Sequence, residues 1–117
     1  FGHRTHIERL LKFRAMPATI RLTGGAARSE AWVQIFADAL QTPVEIPEGT
    51  ELGALGAAIA AAVAAGCYPS FESAIAAMVR FARRQEPDRS RKGLYDAKFA
   101  RYHQTIRALD SVWTAYR

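Results

Sequence analysis

The sequence of 117 residues has a single cysteine and no hydrophobic run long enough to cross a membrane. Cys67 cannot form an internal disulfide, so we expect a reducing compartment, the cytoplasm. This thiol follows Gly66 and has no histidine or acid beside it, which predicts a buried or half-buried, inert side chain. The alanine-rich stretch from Leu52 to Ala65 is too short to span a bilayer. No apolar segment opens the chain as in a secretory signal peptide, so we expect neither a secreted nor a membrane protein.

Several motifs of nucleotide and catalytic sites are missing as well. There is no Gly-x-Gly-x-x-Gly segment of a dinucleotide fold and no Gly-Lys-Ser/Thr ending of a phosphate-binding loop. His3 and His6 have the spacing of a metal-binding pair on a helix, but no third ligand completes the set, so we expect no metal site. Ser29, Ser70 and Ser73 stand at predicted helix starts, and no serine or cysteine combines with a histidine into a catalytic set.

The positive charge of the chain is spread out rather than gathered on one surface. The formal net charge is +5, from 16 Lys and Arg against 11 Asp and Glu. Only the segment from Arg80 to Lys92 is densely basic, and it also contains Glu86 and Asp88. Nucleic-acid-binding domains concentrate their basic residues on one face or along one helix. We therefore interpret this segment as a solvated linker between helices and expect no nucleic-acid partner.

Hydrophobic periodicity predicts one globular domain of helices and short strands. Half of the residues are apolar, which is enough for a core at this length. The opening helix has Ile7, Leu10 and Leu11 on its apolar face, and it starts at Phe1 without an initiator methionine, so we expect a fragment of a longer protein. The elements that follow are a strand over 19–23, a helix over 30–40, a strand over 43–47, a helix over 52–65, a short helix after Ser70 with Ile75, Met78 and Val79 on its inner face, and a long final helix.

The ends and faces of the later helices can also be predicted. Thr50 is expected to cap the alanine-rich helix, and Gly66 is expected to end it. Gly53 and Gly56 lie within that helix and indicate close packing against a sheet or a ligand, because glycine costs a helix about 1 kcal/mol relative to alanine. The final helix has an apolar stripe that we interpret as core, formed by Tyr95, Phe99, Tyr102, Ile106, Leu109, Trp113 and Tyr116.

The segment around Gly24 and Gly25 is the strongest indication of a ligand site. It runs from a strand through the paired glycines into the helix over 30–40. Glycines let a ligand approach the backbone, and a helix start supplies unpaired N–H groups and a positive dipole end. A plain tight turn, with Ser29 as helix N-cap, explains the local residues equally well. Asp38 is about two and a half turns from Ser29, so we expect it to make structural hydrogen bonds.

A series of short motifs covers nearly the whole chain in one order. It consists of Gly24-Gly25-Ala26, Ser29, Trp32-x-Gln34, Ala37-Asp38, Pro43-Val44 and Gly53-Ala54-Leu55-Gly56-Ala57-Ala58. In this order the motifs resemble the C-terminal domain of FGGY-family carbohydrate kinases. Within that family the chain is similar to the pentulose kinases, including L-xylulose and D-xylulose kinases.

The resemblance implies an α/β fold of the actin-like ATPase (ribonuclease-H-like) kind, in which two lobes close around ATP and a sugar. The chain would be part of such a domain, with a short sheet flanked by helices and a long C-terminal amphipathic helix. The implied nucleotide-binding residues are Gly24, Gly25, Ala26 and Ser29. The glycines would admit the ribose and phosphates, Ala26 would border the adenine, and the Ser29 hydroxyl would contact adenosine or only cap the helix.

Several parts of the family pattern have no counterpart here. The first phosphate motif, Asp-x-Gly-Thr, does not occur. The resemblance places it, the catalytic aspartate and most sugar contacts in an N-terminal domain, along with most ligands of Mg²⁺. We therefore expect residues 1–117 to be the C-terminal nucleotide-binding lobe of an ATP-dependent sugar or polyol kinase, inactive alone, and the resemblance also suggests a homodimer. The alternatives are a stand-alone actin-like nucleotide-binding or regulatory module and a purely structural helical domain.

Overall fold

The computed structural model describes residues 1–115 and shows three short strands among six helices. In that range no helix is both long and apolar enough to cross a membrane. The helices and strands are α1 (Gly2–Leu10), β1 (Ile20–Arg21), α2 (Glu30–Leu40), β2 (Val44–Pro47), α3 (Leu52–Ala64), α4 (Phe71–Met78), β3 (Phe81–Gln85), α5 (Lys92–Ala108) and α6 (Asp110–Thr114), with 3₁₀ turns at Gly25–Arg28 and Arg89–Arg91.

The three strands form one sheet in the order β1-β2-β3. β1 and β2 are parallel, with Ile20 opposite Val44, and α2 makes the crossover that parallel neighbours require. The predicted strand over 43–47 is confirmed, whereas the predicted strand over 19–23 is shorter in the structure. The Ile20 N–H donates to the Pro43 carbonyl at 2.9 Å and the Leu22 N–H to the Glu45 carbonyl at 3.0 Å, so the two strands end side by side.

The core lies between α2 and the sheet. Val33 and Ala37 of α2 and Val44 of β2 are fully buried. Val33 and Ala37 lie four residues apart and therefore on one face of α2, and Val44 lies at the start of β2. One face of the helix therefore covers one face of the sheet. Partly buried apolar side chains complete this cluster: Leu22, Phe36 and Ile46. The predicted helix over 30–40 is confirmed with its bounds, and it fixes the segment between Gly24 and Ser29 against the sheet.

The prediction of a solvated linker between Arg80 and Lys92 is wrong. Residues Phe81–Gln85 form β3, which pairs antiparallel with β2. The segment has no regular apolar alternation that would have predicted a strand, because β3 buries little of its surface and gains its order from the backbone ladder with β2. Its side chains form ion pairs, including Arg84 with Glu45 at 3.1 Å. The basic segment is thus part of the sheet.

Helices α3 and α4 pack against each other and confirm part of the predicted ends. Gly66 ends α3 with a φ of 76°, its N–H donates to Val63, and the Cys67 N–H donates to Ala62. The cap of α3 is Glu51 without a side-chain bond, so the prediction of Thr50 as cap is wrong. Ser70 caps α4 through a reciprocal pair of hydrogen bonds with Ser73, as predicted for its position.

Other predictions for this helix pair differ from the structure. A Cβ at Gly53 or Gly56 would meet nothing within 4 Å, so the close packing expected from these glycines does not occur within the described residues. The inner face of α4 buries Ala74, while Ile75 is exposed. Cys67 is also exposed, in the turn that ends α3, and this corrects the prediction of a buried or half-buried thiol.

The apolar stripe of the last helix is core over only part of its length. Phe99 is buried, whereas Ile106, Leu109 and Trp113 are exposed. The helix is also divided at Leu109 into α5 and α6. Helices α1 and α2 pack against the first half of this stripe and do not cover the second half. Tyr116, the last residue of the predicted stripe, lies outside the described residues.

Helix α1 is docked on α5 by its first turn rather than by the predicted apolar face. The Arg4 guanidinium donates to the Asp96 carboxylate at 2.8 Å and lies over the Phe99 ring at 4.2 Å. The Phe1 ring also contacts Phe99, with centroids 5.7 Å apart. Leu10 is 63% exposed, so the apolar side of α1 has little cover within the described residues.

The ion pair of Asp96 predicts a pH dependence of this docking. Hydrogen bonds from Lys92 and Arg4 hold the pKa of the Asp96 carboxyl below its ordinary value. A lowered native pKa contributes stability above the unfolded pKa of about 4, and this contribution is lost as pH falls through the native pKa. We expect α1 to exchange its amide hydrogens faster in acid, after correction for intrinsic exchange. In Asp96→Asn this extra pH dependence should disappear, and its persistence would contradict the assignment.

Candidate functional site

A cleft of about 280 Å³ lies where the paired glycines face the connection between β2 and α3. One wall is the segment after β1 and the other is the end of β2 with the start of α3. The carboxyl ends of parallel strands in an open α/β sheet are the usual place for a ligand. The lining residues are Leu22, Thr23, Gly24, Gly25, Ala27, Arg28, Ile46, Pro47, Gly49, Thr50 and Leu52.

Glycines shape both walls of the cleft. Gly24 has a φ of 81° and Gly49 a φ of 94°, in the left-handed region that other residues rarely adopt. Gly25 has no such constraint, and a Cβ built on it would meet nothing within 4 Å. A side chain at position 25 would therefore occupy space that is open. This arrangement fits a ligand that contacts the backbone directly.

The 3₁₀ turn Gly25–Arg28 presents backbone donors at this place. It starts immediately after Gly24, and the Ala27 N–H closes it by donating to the Gly24 carbonyl at 3.1 Å. The first N–H groups of such a turn have no partner within it. They can donate to the anionic oxygens or the ribose hydroxyls of a ligand.

Arg28 is the one charged residue that lines the cleft among residues 1–115. An arginine in an otherwise uncharged cleft favours a ligand with phosphate or carboxylate oxygens, because its planar guanidinium donates two parallel hydrogen bonds. Sequence reasoning did not single out Arg28. A cation two residues after the Gly24-Gly25-Ala26 segment was the available signal. Gly49 and Leu52, on the opposite wall, were also missed, since only the fold brings them near Gly24.

A wider groove along α1 differs chemically from this cleft. It measures about 510 Å³ and is lined largely by apolar side chains, among them Ile7, Leu10, Leu11 and Phe13. It has no glycine turn. The cleft at Gly24 therefore has the better chemistry for a nucleotide, although it is the smaller space.

Comparison with known families now decides the identity of this domain. A family model described as the C-terminal domain of the FGGY family of carbohydrate kinases matches residues 1–65. The chain belongs to the FGGY family of carbohydrate kinases. The matched range contains α1, α2, both parallel strands and all of α3, and so includes every residue that lines the cleft.

Curated relatives of this FGGY domain are named as kinases of different substrates. The L-xylulose/3-keto-L-gulonate kinase of Escherichia coli (strain K12) is 38% identical over 93% of this chain and 22% of its own length. The erythritol kinase of Brucella abortus is 41% identical over 84% of this chain and 19% of its own. An autoinducer-2 kinase of Yersinia enterocolitica is 34% identical over 79% of this chain and 18% of its own length. The chain thus spans about a fifth of the length of the relatives it matches.

Solved structures confirm the predicted fold class. The xylulose kinase from Lactobacillus acidophilus superposes with a TM-score of 0.87 and 22% identity, over 98% of this chain and 23% of that one. The xylulose kinase from Rhodospirillum rubrum gives a TM-score of 0.80 and 27% identity, over 97% of this chain and 23% of that one. The FGGY chain is therefore a partial α/β domain of the actin-like fold, with a small sheet flanked by helices.

The structure separates the nucleotide-binding residues predicted for this FGGY domain into two pairs. Gly24 and Gly25 line the cleft, whereas Ala26 and Ser29 are half-buried and are not among its lining residues. The Ser29 hydroxyl accepts a hydrogen bond from the Trp32 N–H at 3.4 Å, which is the capping role. Contact of Ser29 or Ala26 with a nucleotide stays a prediction.

Asp38 and Gln34 of the FGGY motif series hold the end of β3 against α2. Asp38 is fully buried, and it accepts hydrogen bonds from the Gln34 side chain at 2.6 Å and the Asp88 N–H at 2.7 Å. Gln34 also accepts from the Gln85 side chain at 2.6 Å. The prediction of structural hydrogen bonds for Asp38 is confirmed. The same contacts fix the frame behind the cleft.

Metal ligands are not gathered in this part of the FGGY fold. Between residues 1 and 115 no group of three or more histidine, cysteine, aspartate or glutamate side chains could hold a metal ion. A Mg²⁺ ion carried by a nucleotide usually takes few protein ligands and keeps several waters. Within the described residues the cleft offers Arg28 and backbone N–H groups as donors rather than a cluster of metal ligands.

Proposed function

We propose that residues 1–117 are the C-terminal nucleotide-binding lobe of an ATP-dependent kinase that phosphorylates a hydroxyl of a sugar or polyol. The observation that supports this most is the cleft beside Gly24 and Gly25, where open backbone and one arginine meet at the ends of two parallel strands. Membership of the FGGY family supports the transfer of phosphate to a carbohydrate. The part of this proposal that concerns nucleotide binding requires neither the second lobe nor a catalytic base.

The residues of the proposed site have separate tasks, and Ser29 has two of them. Gly24 and Gly25 admit the ribose and phosphates to the backbone, and Arg28 donates hydrogen bonds to a phosphate. Ala26 borders the adenine, and Ser29 keeps the start of α2 in place while its hydroxyl reaches toward the adenosine. ATP supplies the phosphoryl group, together with Mg²⁺ held mainly by the other lobe. Phosphoryl transfer depends on positioning, which is what these residues provide.

The acceptor is proposed to be a pentulose. The named substrates of the relatives include xylulose, 3-keto-L-gulonate and erythritol, which share neighbouring hydroxyls on a short carbon chain. The residues that contact the sugar belong to the missing N-terminal domain in this proposal, so the isolated chain is inactive. We place the whole protein in the cytoplasm, where ATP is available, and we propose that it forms a homodimer.

Coupled ATP consumption by the full-length protein tests the proposed function. The protein that contains this chain is assayed with ATP and Mg²⁺ against a panel of pentuloses, their aldose isomers and polyols such as erythritol. We expect ADP to form only with an acceptor present, and most rapidly with a pentulose. Consumption of ATP without any acceptor would contradict the kinase, and ATP binding without turnover on any acceptor would favour a regulatory module. Residues 1–117 alone are expected to give no turnover.

A further inference from the structure

Arg83 of β3 is in contact with both walls of the cleft without lining it. Its backbone is the register partner of Ile46 in β2, and Ile46 belongs to one wall. Its guanidinium reaches the other wall, where Nη2 donates to the Ala27 carbonyl at 3.3 Å and Nη1 to the Glu30 carboxylate at 3.0 Å. One side chain therefore joins the 3₁₀ turn, the first residue of α2 and the strand on the far side.

We propose that Arg83 is a positioning residue that holds the glycine turn in the geometry that binds the phosphates of ATP. This inference rests on the proposed function of the cleft. The Ala27 carbonyl lies in the last part of the 3₁₀ turn, where carbonyl groups lack partners within the turn. Arg83 satisfies this carbonyl and at the same time binds the start of α2, so it sets the angle between the turn and the helix.

The backbone of Arg83 is itself well fixed. Gln85, two residues later, donates to Gln34 of α2 at 2.6 Å, and the Asp88 N–H donates to buried Asp38. The ladder with β2 holds the same strand from the opposite side. The guanidinium of a side chain on such a fixed strand can restrict the position of the turn, because its planar donors form hydrogen bonds in only a narrow range of geometries.

The ion pair itself contributes little to folding. The Glu30 side chain is 88% exposed, and exposed pairs contribute between 0 and about 1 kcal/mol. The fork that spans the Ala27 carbonyl and Glu30 instead restricts where the turn can lie. Removal of Arg83 should therefore change ligand affinity more than stability.

Arg84 offers a matched control on the same strand. It pairs with Glu86 at 2.7 Å and with Glu45 at 3.1 Å, and it does not line the cleft. Arg83→Gln and Arg84→Gln each remove one positive charge from β3. The effect of net charge on ATP affinity is therefore equal in the two variants, and Arg83→Lys, which keeps the charge beside the turn, separates local charge from the forked contact.

The test measures the Kd for ATP by calorimetry and the Tm without ATP in variants of the full-length protein. We expect Arg83→Gln to raise the Kd about tenfold and Arg84→Gln to leave it nearly unchanged, both with unchanged Tm. Arg83→Lys keeps the contact with Glu30 and loses the fork, so its Kd should lie between those of Arg83→Gln and the unmodified protein. Equal Kd values for Arg83→Gln and Arg84→Gln would overturn the inference, as would a lower Tm of Arg83→Gln with unchanged Kd.

Gly25→Val distinguishes failure of this inference from failure of the proposed function. If Gly25→Val weakens ATP binding and Arg83→Gln does not, the cleft binds nucleotide and only the role of Arg83 is wrong. If the full-length protein binds ATP and neither variant changes the Kd, the assignment of the cleft to the nucleotide and the role of Arg83 are both wrong. If the full-length protein binds no ATP, the proposed function is wrong as well.

Discussion

Replacement of Gly25 by valine in the full-length protein should reduce its affinity for ATP by at least about tenfold, or 1.4 kcal/mol, while sugar affinity stays nearly the same. The Cβ of residue 25 would meet nothing within 4 Å, so a side chain there would begin in open space beside the cleft. A nucleotide that contacts the backbone there would lose this approach. Calorimetric titration with ATP, and separately with the acceptor found in the panel assay, measures both affinities.

Gly93→Val is the matched control for this prediction. Gly93 lies in α5, its added Cβ would also meet nothing within 4 Å, and it is remote from the cleft lining. Both variants place a β-branched side chain in open space on a helical turn, so their general costs are comparable. Equal ATP affinities for the two folded variants would show that Gly25 only shapes the turn. Gly24 is less suitable for this test, because its φ of 81° would add backbone strain to any substitution.

The parts of the fold that the sequence predicted are those determined by neighbours along the chain. Helix α2 was predicted with its bounds, because Ser29 marks its start and apolar residues recur along it at helical spacing. The buried apolar residues are Val33 and Ala37, whereas Trp32 and Ile35 are exposed. The strand over 43–47 is bounded by prolines, and Gly66 ends α3 by a local turn. Caps, turns and periodicity are local signals, so each could be inferred without the rest of the structure.

β3 could not be predicted because its stability is not local. The segment Phe81–Gln85 lacks a regular apolar alternation, and its pairing partner β2 lies more than thirty residues earlier. The resulting order depends on ion pairs with residues such as Glu45 and on hydrogen bonds from α2. For the same reason Arg83 could not be singled out from the sequence, because its contact with Ala27 exists only after the sheet has formed.

The site was predicted on one wall and missed on the other. Gly24 and Gly25 have a distinct pattern beside a strand and a helix, and the structure places both in the cleft. Gly49 and Leu52 reach it through the parallel pairing of β1 and β2, which the sequence does not encode in any short motif. Whether the small-residue face of α3 is covered also depends on packing between elements, which no short motif encodes. Gly53 and Gly56 indicate close packing, but none occurs within residues 1–115, where this face is uncovered.

Asp38→Ala should produce the largest loss of stability in this domain, about 3 kcal/mol in the free energy of local opening. Asp38 is 0% exposed and accepts hydrogen bonds from Gln34, the Asp88 N–H and the Arg91 guanidinium. The substitution leaves the Gln34 amide and the Asp88 N–H without this acceptor and also creates a cavity. Hydrogen exchange of the full-length protein, followed by mass spectrometry, measures the opening free energy of α2 and of the segment from Glu86 to Arg91.

Two further variants separate the carboxylate of Asp38 from its volume. Asp38→Asn keeps the shape and one acceptor oxygen but loses the charge opposite Arg91, so its loss should lie between zero and that of Asp38→Ala. Asp110→Ala removes an exposed carboxylate at the start of α6 and should stay within about 0.5 kcal/mol of the unmodified protein. If Asp38→Ala behaves like Asp110→Ala, the buried contacts do not hold β3 to α2. The backbone of Arg83 would then be held only by the hydrogen-bond ladder between β3 and β2, and no longer by contacts with α2.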